Sequence, residues 1–461
     1  MTDYGLFLFV MGLLALGFRR PFLWVLAYCY VDIVAPQQVS WHLLASIPLS
    51  LIVFAAAFGG WLLVDDKQGS RFTYRQALLC LLLVYCGYTT LVADFPEEAA
   101  TKWSWVWKAL VFAIFLPLTL RTRLRIEAVT LVMVLSAAAI IISGGIKTAL
   151  GGGGYGSLAL LVDNNTGLYE GSTLAMVAVA IIPLIVWLAR HGTIFPKHWT
   201  VTLFALALAF ACLMIPVGTE ARTGLLCLGV LAVLALRTAR RRFLYVMLGA
   251  LALLAAIPFL PKSYTDRMNT IESHQSDESA STRLAVWAWT WDYVGEHPLG
   301  GGFDAYRGNK IRYQRKVTEV SGSAAEIESS YVEDAGRAYH SGYFEMLGEQ
   351  GWPGLILWLW LQASGLWQME RIRWRWKHRT GPGEQWQAPL ANALQLAHVI
   401  YLVGALFIGI AYQPFILMLI GVQCGLWSYL KRIDAPAPDR RIDRARRPAM
   451  VAAAPERAAE A

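Results

Sequence analysis

Four residues stand out because their side chains can handle anions or protons at places where the surrounding chain is strongly apolar. Arg222 sits in Gly218-Thr219-Glu220-Ala221-Arg222-Thr223-Gly224, a tight connection between two apolar runs. A guanidinium there either neutralises Glu220 or grips phosphate oxygens through its two-pronged fork of donors. Arg283 opens a helix-like stretch that runs to Val294, and reads as either a solvated loop charge or a second phosphate ligand. His340 precedes an amphipathic stretch, Gly342 to Gln350; imidazole titrates near neutrality, so it can take a proton from a hydroxyl. A lone histidine is otherwise a satisfied polar residue. Lys108 lies just inside an apolar run that begins with Trp103, Trp105 and Trp107. It either snorkels to lipid headgroups or reaches a phosphate.

The elements that must position these groups are membrane helices. The chain of 461 residues is 56% hydrophobic and only 16% charged, well below the charge of a soluble domain. Runs such as Leu43 to Val64, Ile126 to Ile142 and Phe243 to Leu260 are each roughly 20 residues of almost uncharged chain, enough to cross a core of about 30 Å. Their lack of a polar stripe excludes surface helices of a soluble protein. The expected spans are 4–18, 21–36, 42–64, 76–93, 103–120, 126–148, 171–189, 200–217, 223–237, 243–260, 353–370, 390–410 and 412–430. The first two are short enough to form one broken hairpin, so the expectation is an all-α polytopic bundle of about 12–13 helices.

Most of the 40 Lys and Arg residues fall in alternate connections, which places those connections and the tail in the cytoplasm. The opposite set faces outward and includes one large, partly helical periplasmic loop. The chain divides into helices over 1–260, that loop over 261–341, an amphipathic helix with the last three spans over 342–430, and a basic, disordered tail over 431–461.

Other chemistries are disfavoured. All six cysteines lie in apolar runs and read as small buried hydrophobes. His274, His297 and His340 are too scattered for a metal motif, and His297 beside Pro298 reads as a turn residue. The glycines of Gly151 to Gly156 follow no strand, so they make no nucleotide loop, and Asn164-Asn165-Thr166 matches a sequon at chance level. Basic clusters face lipid, not nucleic acid.

Taken in order, the motifs resemble those of the O-antigen ligase and polymerase superfamily of bacterial membrane glycosyltransferases. His340-Ser341, nine residues and Gly351 are similar to its His-small-x9-Gly signature. Arg283-Leu284-Ala285-Val286-Trp287 through His297-Pro298-Leu299-Gly300 is similar to its Arg-x-x-x-Trp … His-Pro-Leu-x-Gly run, and Arg222-Thr223-Gly224 to its short outward Arg-x-Gly connection. The likeness covers roughly residues 170–420, and the N-terminal segments look closest to O-glycosylation ligases associated with the exosortase A system. The resemblance implies a glycan donor on undecaprenyl diphosphate, an acceptor hydroxyl on glycan, lipid or protein, and inversion at the anomeric carbon. It implies no cofactor and no metal, in an enzyme of the bacterial inner membrane. Arg222 and Arg283 would neutralise the leaving diphosphate with Lys108 as helper, and His340 would act as base beside Ser341. A repeat-unit polymerase uses the same parts. A transporter or flippase is the reading from another class; it lacks the expected inverted repeat and midplane charges here.

Overall fold

The computed structural model describes residues 2–40, 42–45, 47–150, 168–237, 242, 247, 278–321 and 324–434. The expected span 243–260, the glycine run 151–156, the sequon at 164–166, His274 and most of the tail lie outside them. Fourteen helices appear among the described residues. They are α1 (Thr2–Arg19), α2 (Phe22–Val34), α3 (Pro36–Val39), α4 (Leu49–Leu63), α5 (Tyr74–Leu91), α6 (Pro96–Thr119), α7 (Arg123–Ala149), α8 (Gly171–His191), α9 (Trp199–Gly218), α10 (Arg222–Leu236), α11 (Glu278–Glu296), α12 (Gly342–Trp376), α13 (Gln387–Gly404) and α14 (Pro414–Ile433). Helices α7, α8, α9 and α14 are long and apolar enough to cross a membrane, and α2, α4 and α10 are shorter apolar helices. The fold is that of a multi-pass helical membrane protein.

Local sequence sets several boundaries. Helix α5 begins at a capping box, in which the Thr73 side chain accepts from the Gln76 N–H and Gln76 Oε1 accepts from the Thr73 N–H. Helix α6 opens on Pro96 with Glu97 and Glu98 in its first turn, matching the positive end of its dipole. Helices α1 and α2 do form a hairpin: Phe18 meets Trp24 near the turn and Phe9 meets Tyr30 farther along. Helix α13 stops at Gly404, earlier than the expected 410, and residues 405–413 make a turn before Pro414 starts α14.

The two ends of the bundle differ. At one end Arg125 pairs with Asp65, Arg121 with Asp66, Arg237 with Glu370 and Arg379 with Asp434, and Arg432 donates to the Arg121 carbonyl. Arg75, at the start of α5, is by contrast fully buried, its Nη1 2.9 Å from Gln423 Oε1. The opposite end gathers the starts of α6, α8, α10, α12 and α14. Beyond α11, residues 310–335 fold as an antiparallel hairpin, β1 (Lys310–Ser321) with β2 (Ala324–Ala335), pairing Lys310 with Ala335 and Ser321 with Ala324. The sequence reading anticipated helix but not these strands. Five of the six cysteines are buried and Cys80 is half-buried.

Candidate active site

His340 lies in the short link between β2 and α12. Its backbone is left-handed (φ 48°), a conformation that costs a non-glycine residue about 1–3 kcal/mol and is held only by surrounding structure. The restraints are visible on both sides. On one, Trp287 Nε1 donates to the Tyr339 carbonyl at 2.8 Å, and the Trp287 ring stacks on Phe344 at 4.9 Å. On the other, Ser341 Oγ and the Gly342 N–H both donate to the Ala405 carbonyl, at 3.3 and 2.7 Å, and Tyr343 donates to the Leu402 carbonyl. A small core of Val286, Ile311 and Tyr339 seats the loop domain on α12.

Arg283 precedes Trp287 by one helical turn, so both project from the same face of α11. It is one of three charged groups acting on His340. The imidazole is solvent-accessible, yet enough protein surrounds it that burial lowers its pKa; Arg283 adds to the lowering, Glu170 opposes it and Arg337 adds again. The net effect keeps His340 neutral, and so able to accept a proton, at neutral pH. Glu170 is held in place as the cap of α8, accepting from the Ser172 and Thr173 N–H groups at 3.0 and 2.5 Å.

Arg222 comes from a separate connection. Glu220 before it is buried and left-handed (φ 50°), and α10 starts at Arg222 itself without a side-chain cap. Gly171, next to Glu170, has room for no more than an ordinary contact with Thr219, so the α9–α10 turn lies against the start of α8. Gly224 packs closely on Ala175 and Pro216, which fixes the height of Arg222 beside that start. From Arg222 an apolar cavity of about 620 Å³ runs along α10 past Leu225, Leu226, Gly229, Val230 and Val233. The positive ends of α10 and α12, and the two arginines, suit an anionic ligand.

Behind His340, two features lock the first turns of α12. Lys102 of α6 reaches Glu349 at 2.7 Å, Glu345 at 2.8 Å and Asp304 at 3.6 Å. Burial alone would lower the Lys102 ammonium, but the three carboxylates outweigh it and raise it. Burial raises the Glu349 carboxyl, Lys102 opposing and Glu345 and Asp304 adding to the rise. Glu345 also accepts from the Ala411 N–H at 2.9 Å and Glu349 from the Asp304 N–H at 3.0 Å, so one ammonium ties α6, α12 and two loops together. The second feature is a backbone-to-backbone junction. The Gly301 and Gly302 N–H groups donate to the Gly348 and Glu349 carbonyls, and the Trp352 N–H donates to the Pro298 carbonyl. Gly351 (φ 60°) breaks α12 at this point. A Cβ on Gly300 would strike the Gly351 nitrogen, and one on Gly351 would strike the Pro298 carbonyl, so both motif glycines are sites of close approach.

Arg283, His340 and Ser341 are thus brought together, with Arg222 on the neighbouring turn. Lys108 is not among the groups acting on His340; it lies within electrostatic reach of Asp32 on α2. His297 stacks on Tyr293 at 4.4 Å and closes α11, as a turn residue should. Sequence reading passed over Lys102, Glu170, Asp304, Glu345 and Glu349. Two signals were available: Glu345 and Glu349 are spaced by one helical turn, and Glu170 stands where a helix cap belongs.

Residues 207–359 match the family described as O-Antigen ligase, a stretch that contains Arg222, Arg283, His340, Ser341 and Gly351. Residues 1–193, with Lys102 and Lys108, match a family of unknown function (DUF5935). No curated protein matches the chain. The segment 207–359, which carries the arginines, the histidine and the junction glycine, is thus similar to the O-antigen ligase family.

Proposed function

We propose that this protein is an inverting membrane glycosyltransferase that moves a glycan from undecaprenyl diphosphate to an acceptor hydroxyl on the periplasmic face. The match of residues 207–359 to the O-antigen ligase family supports ligase or polymerase chemistry in general. The observation that carries the finer reading is His340 held neutral beside Arg283 on a strained backbone. His340 takes the proton of the acceptor hydroxyl as its oxygen bonds to the anomeric carbon. The bond from that carbon to the diphosphate breaks on the opposite face, which inverts the centre. Charge gathers on the departing diphosphate, where Arg222 and Arg283 neutralise it through charge-assisted hydrogen bonds. The apolar cavity below Arg222 offers the polyprenyl chain a place with its head at the guanidinium. Lys108 stays a candidate helper at that headgroup level. Ser341, its hydroxyl held by Ala405, shapes the link that carries His340.

Glycan profiling of a strain lacking the protein tests the assignment. Loss of polymer from the acceptor with long lipid-linked chains accumulating is the expected, ligase result. Accumulation of single lipid-linked repeats would assign the polymerase role instead, and an unchanged profile would remove both.

A further inference from the structure

A second cavity, of about 880 Å³, opens at the basic end of the bundle, far along the helices from His340. Leu213, Leu228, Leu231 and Leu396 wall its interior, from α9, α10 and α13. Its mouth is lined by Arg190, His191, Arg373, Lys377 and Arg379, against one acid, Glu384. Arg373 and Arg379 already hold carboxylates, on Glu370 and on Asp434 and Glu384. Among the described residues Arg190 and Lys377 have no carboxylate within ion-pair distance, Lys377 resting 3.9 Å over the Trp374 ring.

The depth of the cavity decides what fits. On α8 its lining runs from Ile182 to His191. At 1.5 Å per residue that is about 13 Å, close to half of a hydrocarbon core of about 30 Å. A cavity one leaflet deep, apolar below and cationic at the rim, has the form of one anionic lipid with its head at the surface. The chain's own C-terminal segment is a poor occupant, because Arg440, Arg441, Arg444, Arg446 and Arg447 give it the same sign as the rim.

We propose that this cavity holds a single anionic phospholipid of the leaflet on the basic side, its phosphate between Arg190 and Lys377 and its acyl chains along α9, α10 and α13. The site is independent of the glycan chemistry. Native mass spectrometry of the full chain, with phosphatidylglycerol or phosphatidylcholine of the same acyl chains, tests it. Wild type should retain one phosphatidylglycerol about tenfold more than phosphatidylcholine, the difference one charge-assisted contact supplies. The Arg190→Ala/Lys377→Ala variant should fall to the phosphatidylcholine level. Leu231→Trp, which fills the cavity and leaves the rim intact, should lose the lipid as well; it carries the test alone if the double variant does not fold. Equal retention of the two lipids by wild type overturns the proposal. So does undiminished phosphatidylglycerol retention by a folded Leu231→Trp variant.

Discussion

At the scale of single residues, the proposed function rests on keeping His340 neutral and aimed. Its pKa is lowered, so the base form persists at neutral pH and is lost only as pH falls below the ordinary histidine range. The charges around it make a signed prediction. Glu170 favours the imidazolium, so Glu170→Gln should move the acid limb of the transfer rate to lower pH. Arg337 disfavours it, so Arg337→Gln should move that limb to higher pH. A pH–rate profile for each variant checks the pair; shifts in the same direction would show that His340 is not the group titrating. His340, Arg283 and Arg222 were legible as residues because each puts basicity where apolar chain predominates. The partner Glu170 was not, since it acts across space from the start of α8, far from His340 in sequence. Arg337, three residues before His340, is an ordinary charge in sequence.

At the scale of elements, α12 is the part that fixes the site, and it is fixed from behind. Gly300 and Gly351 meet backbone to backbone, so Gly300→Ala sets a methyl against the Gly351 nitrogen in a left-handed conformation. Overpacking of this kind costs about 1–3 kcal/mol, and the thermal midpoint should fall along with the transfer rate. An unchanged midpoint would show that the junction gives. Lys102→Met leaves Glu345 and Glu349 buried without their cation, a loss of about 3–5 kcal/mol when one partner of a buried pair is removed. Adding Glu349→Gln to that variant should recover part of the midpoint, because the uncompensated charge is gone; no recovery would place the damage in lost packing. The helices themselves were readable from apolar runs, most to within a few residues. The long α12 was read only in part, as an amphipathic stretch leading into a span. The β1–β2 hairpin escaped because charged residues such as Arg315, Lys316 and Glu319 interrupt the apolar ones in its sequence, which shows no clean alternation.

At the scale of the whole molecule, the two ends of the bundle divide the labour. One end carries arginines paired to Asp65, Asp66, Glu370 and Asp434, and the other carries His340, Arg222, Arg283 and the Lys102 cluster. This separation agrees with the alternation of basic connections along the chain and puts the proposed chemistry at a single membrane face. Purified protein supplied with an undecaprenyl-diphosphate glycan and an acceptor gives the most direct test. Wild type should release one carrier diphosphate for each glycan joined, and His340→Ala, folded to the same midpoint, should be slower by about 10²–10⁴-fold, the usual worth of a general base. His340→Ala turning over at the wild-type rate would contradict the account at its centre.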